Sequence, residues 1–258
     1  MIDGQHATGR RGVPGRLLYL EGAGVSRPRV VLSVAVSLDG YIDDTIPERL
    51  YLSNERDFDG VDQLRAESDA ILIGAETVRR DNPWLWLRSQ ERRESRVAAG
   101  KPANLLKVTV TASGDIDPDA RMFHQHIEAG KPLVYTTVEG AEKIGVKLAS
   151  VADVVAIPDA DFWGTLLDDL GRRGVGQLIV EGGTHIHTAF LEAGLADELR
   201  YALAPLLIGQ SDAPRFVNPA QFPGGTRRRL EFVDATTLDD VVVLRYRPKN
   251  TSVTVHGQ

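Results

Sequence analysis

From Val30 onward the chain alternates short apolar runs with segments of helical period. The runs cover residues 30–36, 70–74, 105–111, 133–136, 154–157 and 177–181. Their length and content of β-branched residues predict strands. Helical period appears over 55–67, 141–150, 161–173 and 184–193. Such alternation predicts parallel β-α-β units with helices covering the sheet. A shorter helix is expected after Gly74, ending near Asp81, because Pro83 disfavours helix in the residue before it. Residues 88–100 read as an exposed loop or a polar helix.

The tail breaks the alternation. Residues 199–208, 229–234 and 241–246 predict three strands with no helix between them, so part of the sheet should be antiparallel. The expected architecture is α/β, a single domain over 28–249 built on a mixed central sheet flanked by helices. Residues 1–27 are rich in Gly and Arg and have no clear period. They are expected to form a flexible arm, with 17–20 able to dock on the body, and 250–258 a flexible tail.

Charge and composition narrow the function classes. The 258 residues hold 30 Lys and Arg against 36 Asp and Glu, a formal net charge of −6. That balance offers no global attraction to nucleic acid or anionic membranes, so a phosphate ligand needs local positive charge. There is no cysteine, which excludes disulfides, thiolate metal sites and cysteine nucleophiles. No apolar run approaches the length needed to span a bilayer. The start carries Arg10, Arg11 and Arg16 without the apolar stretch of a signal peptide. These features lead us to expect a cytoplasmic protein.

The strongest local signal is Leu178-Ile179-Val180-Glu181-Gly182-Gly183-Thr184. A strand ends at Glu181, two glycines follow, and Thr184 opens a helix. Glycines there let a phosphate approach the backbone at the positive end of the helix. Thr184 can cap the helix or donate to a ligand; a tight turn that binds nothing fits the same residues. A second group runs from Gly74 to Pro83. Thr77 and Asp81 are four apart and share a helix face, which suits a polar ring or a ribose, or simply a surface turn. Ser37-Leu38-Asp39-Gly40 reads as a turn, with Gly40 at positive φ. In Trp84-Leu85-Trp86-Leu87-Arg88, half the side chains should face the core and half can stack on a flat ligand. Arg88 is a candidate phosphate clamp. His185 and His187 are two apart on a helix and cannot chelate together; no metal site is expected there or at His124 and His126. Neither G-x-S-x-G nor a Walker lysine motif occurs, so hydrolase and NTPase readings lose their usual supports.

Taken in order, residues 37–40, 64–75, 77–83, 117–121, 180–183, 195–199 and 204–205 resemble the RibD C-terminal reductase family. The resemblance covers nearly everything from Arg29 to Tyr246. It implies a dihydrofolate-reductase-like fold, NADPH as cofactor, with NADH not excluded, and a homodimer. It also implies reduction at ribose C1′ of a ribosylaminopyrimidine 5′-phosphate. The deaminase domain that often precedes this reductase is absent from the sequence, so a stand-alone reductase is expected. By matched position, Val36, Thr77, Asp81, Ser113, Gly182, Gly183 and Thr184 resemble cofactor contacts, and Leu85, Arg88 and Glu181 resemble substrate contacts. Asp81 and Glu181 are the candidate catalytic acids.

Three departures from the family pattern fall on ligand-reading positions. Ser33 stands where a lysine is frequent. Asp59 stands where an arginine helps hold the substrate phosphate, and Arg49 and Arg56 are candidate replacements. Residues 111–115 lack a frequent arginine. A pteridine-like or other heterocycle, as in dihydrofolate-type reduction, is therefore an alternative substrate. A non-catalytic nucleotide-binding protein is the alternative of another class. Leu203, Leu206, Leu207 and Ile208 could form a subunit interface or fill the core.

Overall fold

The computed structural model describes residues 26–158 and 160–249. Of the expected arm only Ser26 and Arg27 are described; residues 17–20 and the tail 250–258 lie outside the described residues. The alternating part begins with β1 (Arg29–Ser37), α1 (Glu55–Glu67), β2 (Ala70–Gly74), the short α2 (Ala75–Asp81) and α3 (Gln90–Ala98). It continues through β3 (Leu106–Thr111), β4 (Leu133–Thr136), α4 (Val138–Leu148), β5 (Asp153–Ala156) and α5 (Phe162–Arg172). It ends with β6 (Gln177–Val180), α6 (Thr184–Glu192) and β7 (Glu198–Ala204), after which β8 (Leu230–Leu238) and β9 (Val241–Pro248) form a hairpin.

Among the described residues these strands make one sheet, in the order β5-β4-β3-β2-β6-β1-β7-β9-β8. The seven strands from β5 to β7 are parallel. Strand β9 runs antiparallel to β7 and to β8. This is the mixed sheet that the pattern predicts.

Successive side chains on a strand point to opposite faces, and here both faces are covered. Leu32 and Val34 of β1, Leu72 of β2 and Leu178 and Val180 of β6 join Leu166 and Leu170 of α5 and Phe190 of α6. Ile71, Ile73 and Ile179 point the other way, to Val78 of α2, Ile144 and Leu148 of α4, Met122 and Phe123. Strands buried on both faces need unbroken apolar sequence, which is why 70–73 and 178–180 show no polar alternation.

Several boundaries differ from expectation for local reasons. Helix α4 starts at Val138 because the Thr137 hydroxyl caps it, accepting from the Gly140 N–H at 3.0 Å. Residues 90–98 form a polar helix, one of the two structures expected of this stretch, capped by the Ser89 hydroxyl. Strand β7 stops at Ala204 because Pro205 has no N–H for the ladder. Residues 206–209 instead brace the turn at 37–40. Leu206 O accepts from the Leu38 N–H at 2.9 Å, and the Asp39 carboxylate accepts from Ile208 and Gly209 N–H at 3.1 and 2.8 Å. Asp39 is thus a turn residue, and Gly40 has φ +87°. No described helix is long and apolar enough to cross a membrane.

One close approach positions the site. The Gly74 N–H donates to Gly182 O at 2.9 Å, which ties the end of β2 to the loop after β6. A Cβ at Gly74 would lie 2.9 Å from Ile186 Cγ1 on α6. Gly74→Ala is therefore expected to push α6 off the sheet, costing about 1–3 kcal/mol of stability and weakening ligand binding at the Gly182 loop. Urea unfolding checks this; Ile186→Ala, which removes Cγ1, should make the two losses less than additive.

Candidate active site

At the carboxyl ends of β1, β2, β3 and β6 the structure opens into a cleft of about 920 Å³. Strand ends in an open α/β sheet are where loops can diverge and leave room for a ligand. The lining includes Ser33, Val34 and Ala35 of β1, Gly74, Thr111, and residues 181–184. Helix α1 adds Asp57, Phe58 and Val61, and α2 adds Thr77, Arg80 and Asp81. Loops 42–53 and 211–219 contribute much of the rest.

The glycine pair lines this cleft without side chains of its own, Gly182 buried and Gly183 half-buried. Gly182 has φ +109°, a conformation that residues with a Cβ rarely adopt, and its peptide bond to Gly183 is cis. A Cβ on Gly182 would meet His187 Nε2 at 3.1 Å, and one on Gly183 would meet Thr77 Oγ1 at 3.3 Å. Helix α6 starts directly after, so its first N–H groups face the same region. The Thr184 hydroxyl makes no capping bond. It donates to Arg215 O at 2.6 Å and fastens α6 to the 211–219 loop.

Two carboxylates in the cleft have opposite surroundings. Both oxygens of Glu181 accept from Arg65, at 2.7 and 2.6 Å. That guanidinium also donates to Trp86 O at 3.0 Å. Asp81 has no such partner among the described residues. Burial raises its pKa above the ordinary carboxylate value, with Arg49 and Arg80 opposing the shift and Asp43 adding to it. Asp81 therefore holds a proton more readily than an ordinary aspartate. Deeper in, Asp57 of α1 is ion-paired with Arg200 of β7; both are buried, and Asp57 Oδ2 has no partner.

His187 is fully buried and lines the cleft, its ring tilted against Phe216 at 5.3 Å. Neither ring nitrogen has a hydrogen-bond partner among the described residues. His185 also lines the cleft but is exposed, with Nε2 4.0 Å from Glu76.

Of the residues singled out from sequence, Thr77, Asp81, Ser113, Glu181, Gly182, Gly183 and Thr184 line this one cleft. Val36, Leu85 and Arg88 do not. Val36, the residue after the part of β1 that lines the cleft, is fully buried in the core. Leu85 lies in the core on the other face of the sheet. Arg88 stands behind the lining residue Phe58, its guanidinium 5.6 Å from that ring's centre. Nor do Trp84 and Trp86 reach the cleft. They flank His126, Trp86 stacked on it at 4.5 Å, while Leu85 and Leu87 take the inward positions. Asp59 is outside the cleft too, bonded by Arg92 at 2.6 and 2.9 Å. Arg56 pairs with Asp239 at the surface, whereas Arg49 lines the cleft. The sequence reading missed Asp57, His187, Arg200 and Arg215. Asp57 carried a signal: it shares the inward stripe of α1 with Val61 and Leu64, where a charge needs a buried partner.

Comparisons with known proteins agree on one family. A model described as the RibD C-terminal domain matches residues 28–244. The 2,5-diamino-6-ribosylamino-4(3H)-pyrimidinone 5′-phosphate reductase of Archaeoglobus fulgidus is 36% identical, over 76% of this chain and 89% of that protein. Among solved structures, Acinetobacter baumannii RibD aligns with TM-score 0.70 and 26% identity, over 86% of this chain and 58% of that one. A pyrimidine reductase-like protein of Corynebacterium diphtheriae shares the fold with TM-score 0.74 at 22% identity, over 87% and 93% of the two chains.

Burial pushes the His187 imidazole from its ordinary 6.5 down to about 4. Between those values the unfolded chain binds more protons than the folded one, so stability is complete above the ordinary value and is lost as pH falls toward the lowered one. His187→Phe is expected to abolish this acid-side loss. Urea unfolding across that interval checks it; parallel pH profiles for variant and wild type would contradict the assignment.

Proposed function

This chain belongs to the RibD C-terminal domain family, and from that premise we propose that it is a reductase of a ribosylaminopyrimidine 5′-phosphate that uses NADPH. The observation that carries this reading is the side-chain-free Gly182–Gly183 turn at the start of α6, set between Thr77 and His187 in the cleft that Asp81 also lines. A dinucleotide pyrophosphate suits that surface, since no side chain blocks it and the helix N–H groups face it. The fit is supported by the cradle that a Cβ at Gly182 would fill. Gly182, Gly183 and Thr77 would hold the cofactor, with Ser113 at its adenosine end. Arg79 donates to Asp115 O at 2.5 Å and brings a guanidinium to that loop. The Asp115 carboxylate lies 3.7 Å from the same guanidinium and partly neutralises it, so the choice of NADPH over NADH rests on membership of the family.

When bound, the reduced nicotinamide supplies a hydride. The net reaction places that hydride on ribose C1′ and a proton on the ring oxygen released as the C1′–O bond opens. Asp81 is the proton source in this account, because burial favours its protonated form. Glu181, held at both oxygens by Arg65, orients substrate hydroxyl or amine groups as an acceptor. The cleft's share of the work is to bring donor and acceptor into contact in a fixed orientation.

We also assign the protein to the cytoplasm and to a homodimer. Leu230 and Phe232 are 41% and 56% exposed on β8, the last strand of the sheet, and a second copy could cover them.

Asp81→Asn separates catalysis from folding. The folded pKa of Asp81 is raised, so ionising it costs stability as pH rises through that pKa. The variant should match or exceed wild-type stability at neutral pH, yet turn over roughly 100-fold more slowly or worse. NADPH consumption with the pyrimidine substrate, alongside thermal unfolding, reads both. Near-normal turnover would remove Asp81 from the mechanism, and no NADPH consumption by the wild type would refute the reductase reading.

A further inference from the structure

A phosphorylated substrate needs a cation that is not already neutralised. Among the described residues, six arginines line the cleft: Arg49, Arg65, Arg79, Arg80, Arg200 and Arg215. Four of them face carboxylates. Arg65 pairs with Glu181, Arg79 with Asp115, Arg80 with Asp43 and Arg200 with Asp57. Arg215 is spent differently. It lies 4.1 Å from the centre of the Tyr41 ring and donates to Tyr41 Oη at 2.6 Å and to Asp39 O at 3.2 Å. Its position next to Thr184 places it with the cofactor loop.

Arg49 is the remaining cation. Among the described residues it makes no salt bridge, and its guanidinium carbon lies 5.5 Å from the centre of the Tyr51 ring. An aromatic neighbour orients a guanidinium without consuming its in-plane N–H donors. Arg49 is close enough to Asp81 to oppose the rise in that group's pKa, so it borders the acid-bearing part of the cleft. Asp59 of α1 lies outside the cleft, neutralised by Arg92.

We propose that Arg49 is the residue that holds the substrate's 5′-phosphate, and so sets the preference for phosphorylated over unphosphorylated substrate. This rests on the reductase reading above. The fork of a guanidinium matches two phosphate oxygens. In a chain of net charge −6, an unpaired cation on the cleft wall also draws an anionic substrate toward it.

The test compares wild type with Arg49→Gln and Arg49→Lys in three measurements. Calorimetry with ribose 5-phosphate should show binding to wild type, weakened roughly 10- to 100-fold in Arg49→Gln and partly restored in Arg49→Lys. The KM for the phosphorylated pyrimidine should rise by a similar factor in Arg49→Gln, while the KM for its dephosphorylated form should not. NADPH binding should be unchanged in both variants. Equal binding of ribose 5-phosphate by wild type and Arg49→Gln would overturn the proposal, as would a wild type that binds NADPH but not ribose 5-phosphate. A parallel loss of NADPH affinity would assign Arg49 to the cofactor instead and overturn it too. Failure of the wild type to bind NADPH at all would strike the reductase reading itself, a separate result.

Discussion

Seven parallel strands covered on both faces leave few places where polar groups can meet a ligand. Leu72 and Ile71, or Val180 and Ile179, occupy opposite faces of the sheet and are both fully buried. The polar side chains of the site accordingly gather where the strands end. Gly74, Ser113 and Glu181 each stand at or just past the carboxyl end of a strand. The Gly74–Gly182 hydrogen bond holds two of those ends together, and the fit of Ile186 against Gly74 fixes where α6 begins. The geometry of the cleft is in this sense a consequence of core packing.

Within the cleft, neighbours decide what each charged group can do. Glu181 and Asp81 are both carboxylates, but only Glu181 is clasped by a guanidinium. Asp81 is partly withdrawn from water with two arginines and an aspartate in its field. One is suited to accept hydrogen bonds, the other to carry a proton. The arginines divide on the same principle. Those committed to carboxylates shape the wall, Arg215 is held by Tyr41 and the Asp39 carbonyl, and Arg49 is left for an incoming anion.

Much of this was legible in the sequence, for identifiable reasons. Buried parallel strands announce themselves as continuous apolar runs, and the glycine pair with a following helix marks a phosphate-sized gap. Thr77 and Asp81 could be placed together because a four-residue spacing fixes their common helix face. Harder to read were contacts between distant segments. Arg200 and Asp57 are 143 residues apart, and nothing local says that they meet. Leu85 and Arg88 follow a turn where Asn82 and Leu85 both adopt positive φ, so the side-chain directions there cannot be inferred from alternation. His187 looked like half of a rejected metal pair; only its burial beside Gly182 shows that it belongs to the cleft.

The central claim is that this cleft passes a hydride from a reduced nicotinamide to the sugar carbon of a ribosylaminopyrimidine phosphate. The most direct measurement replaces the transferable hydrogen of NADPH with deuterium and locates the label in the product by mass spectrometry and NMR. The account predicts one deuterium at C1′ of a newly formed ribityl chain, released with an equal amount of NADP⁺. Deuterium on the pyrimidine ring, or a product without label, would contradict it.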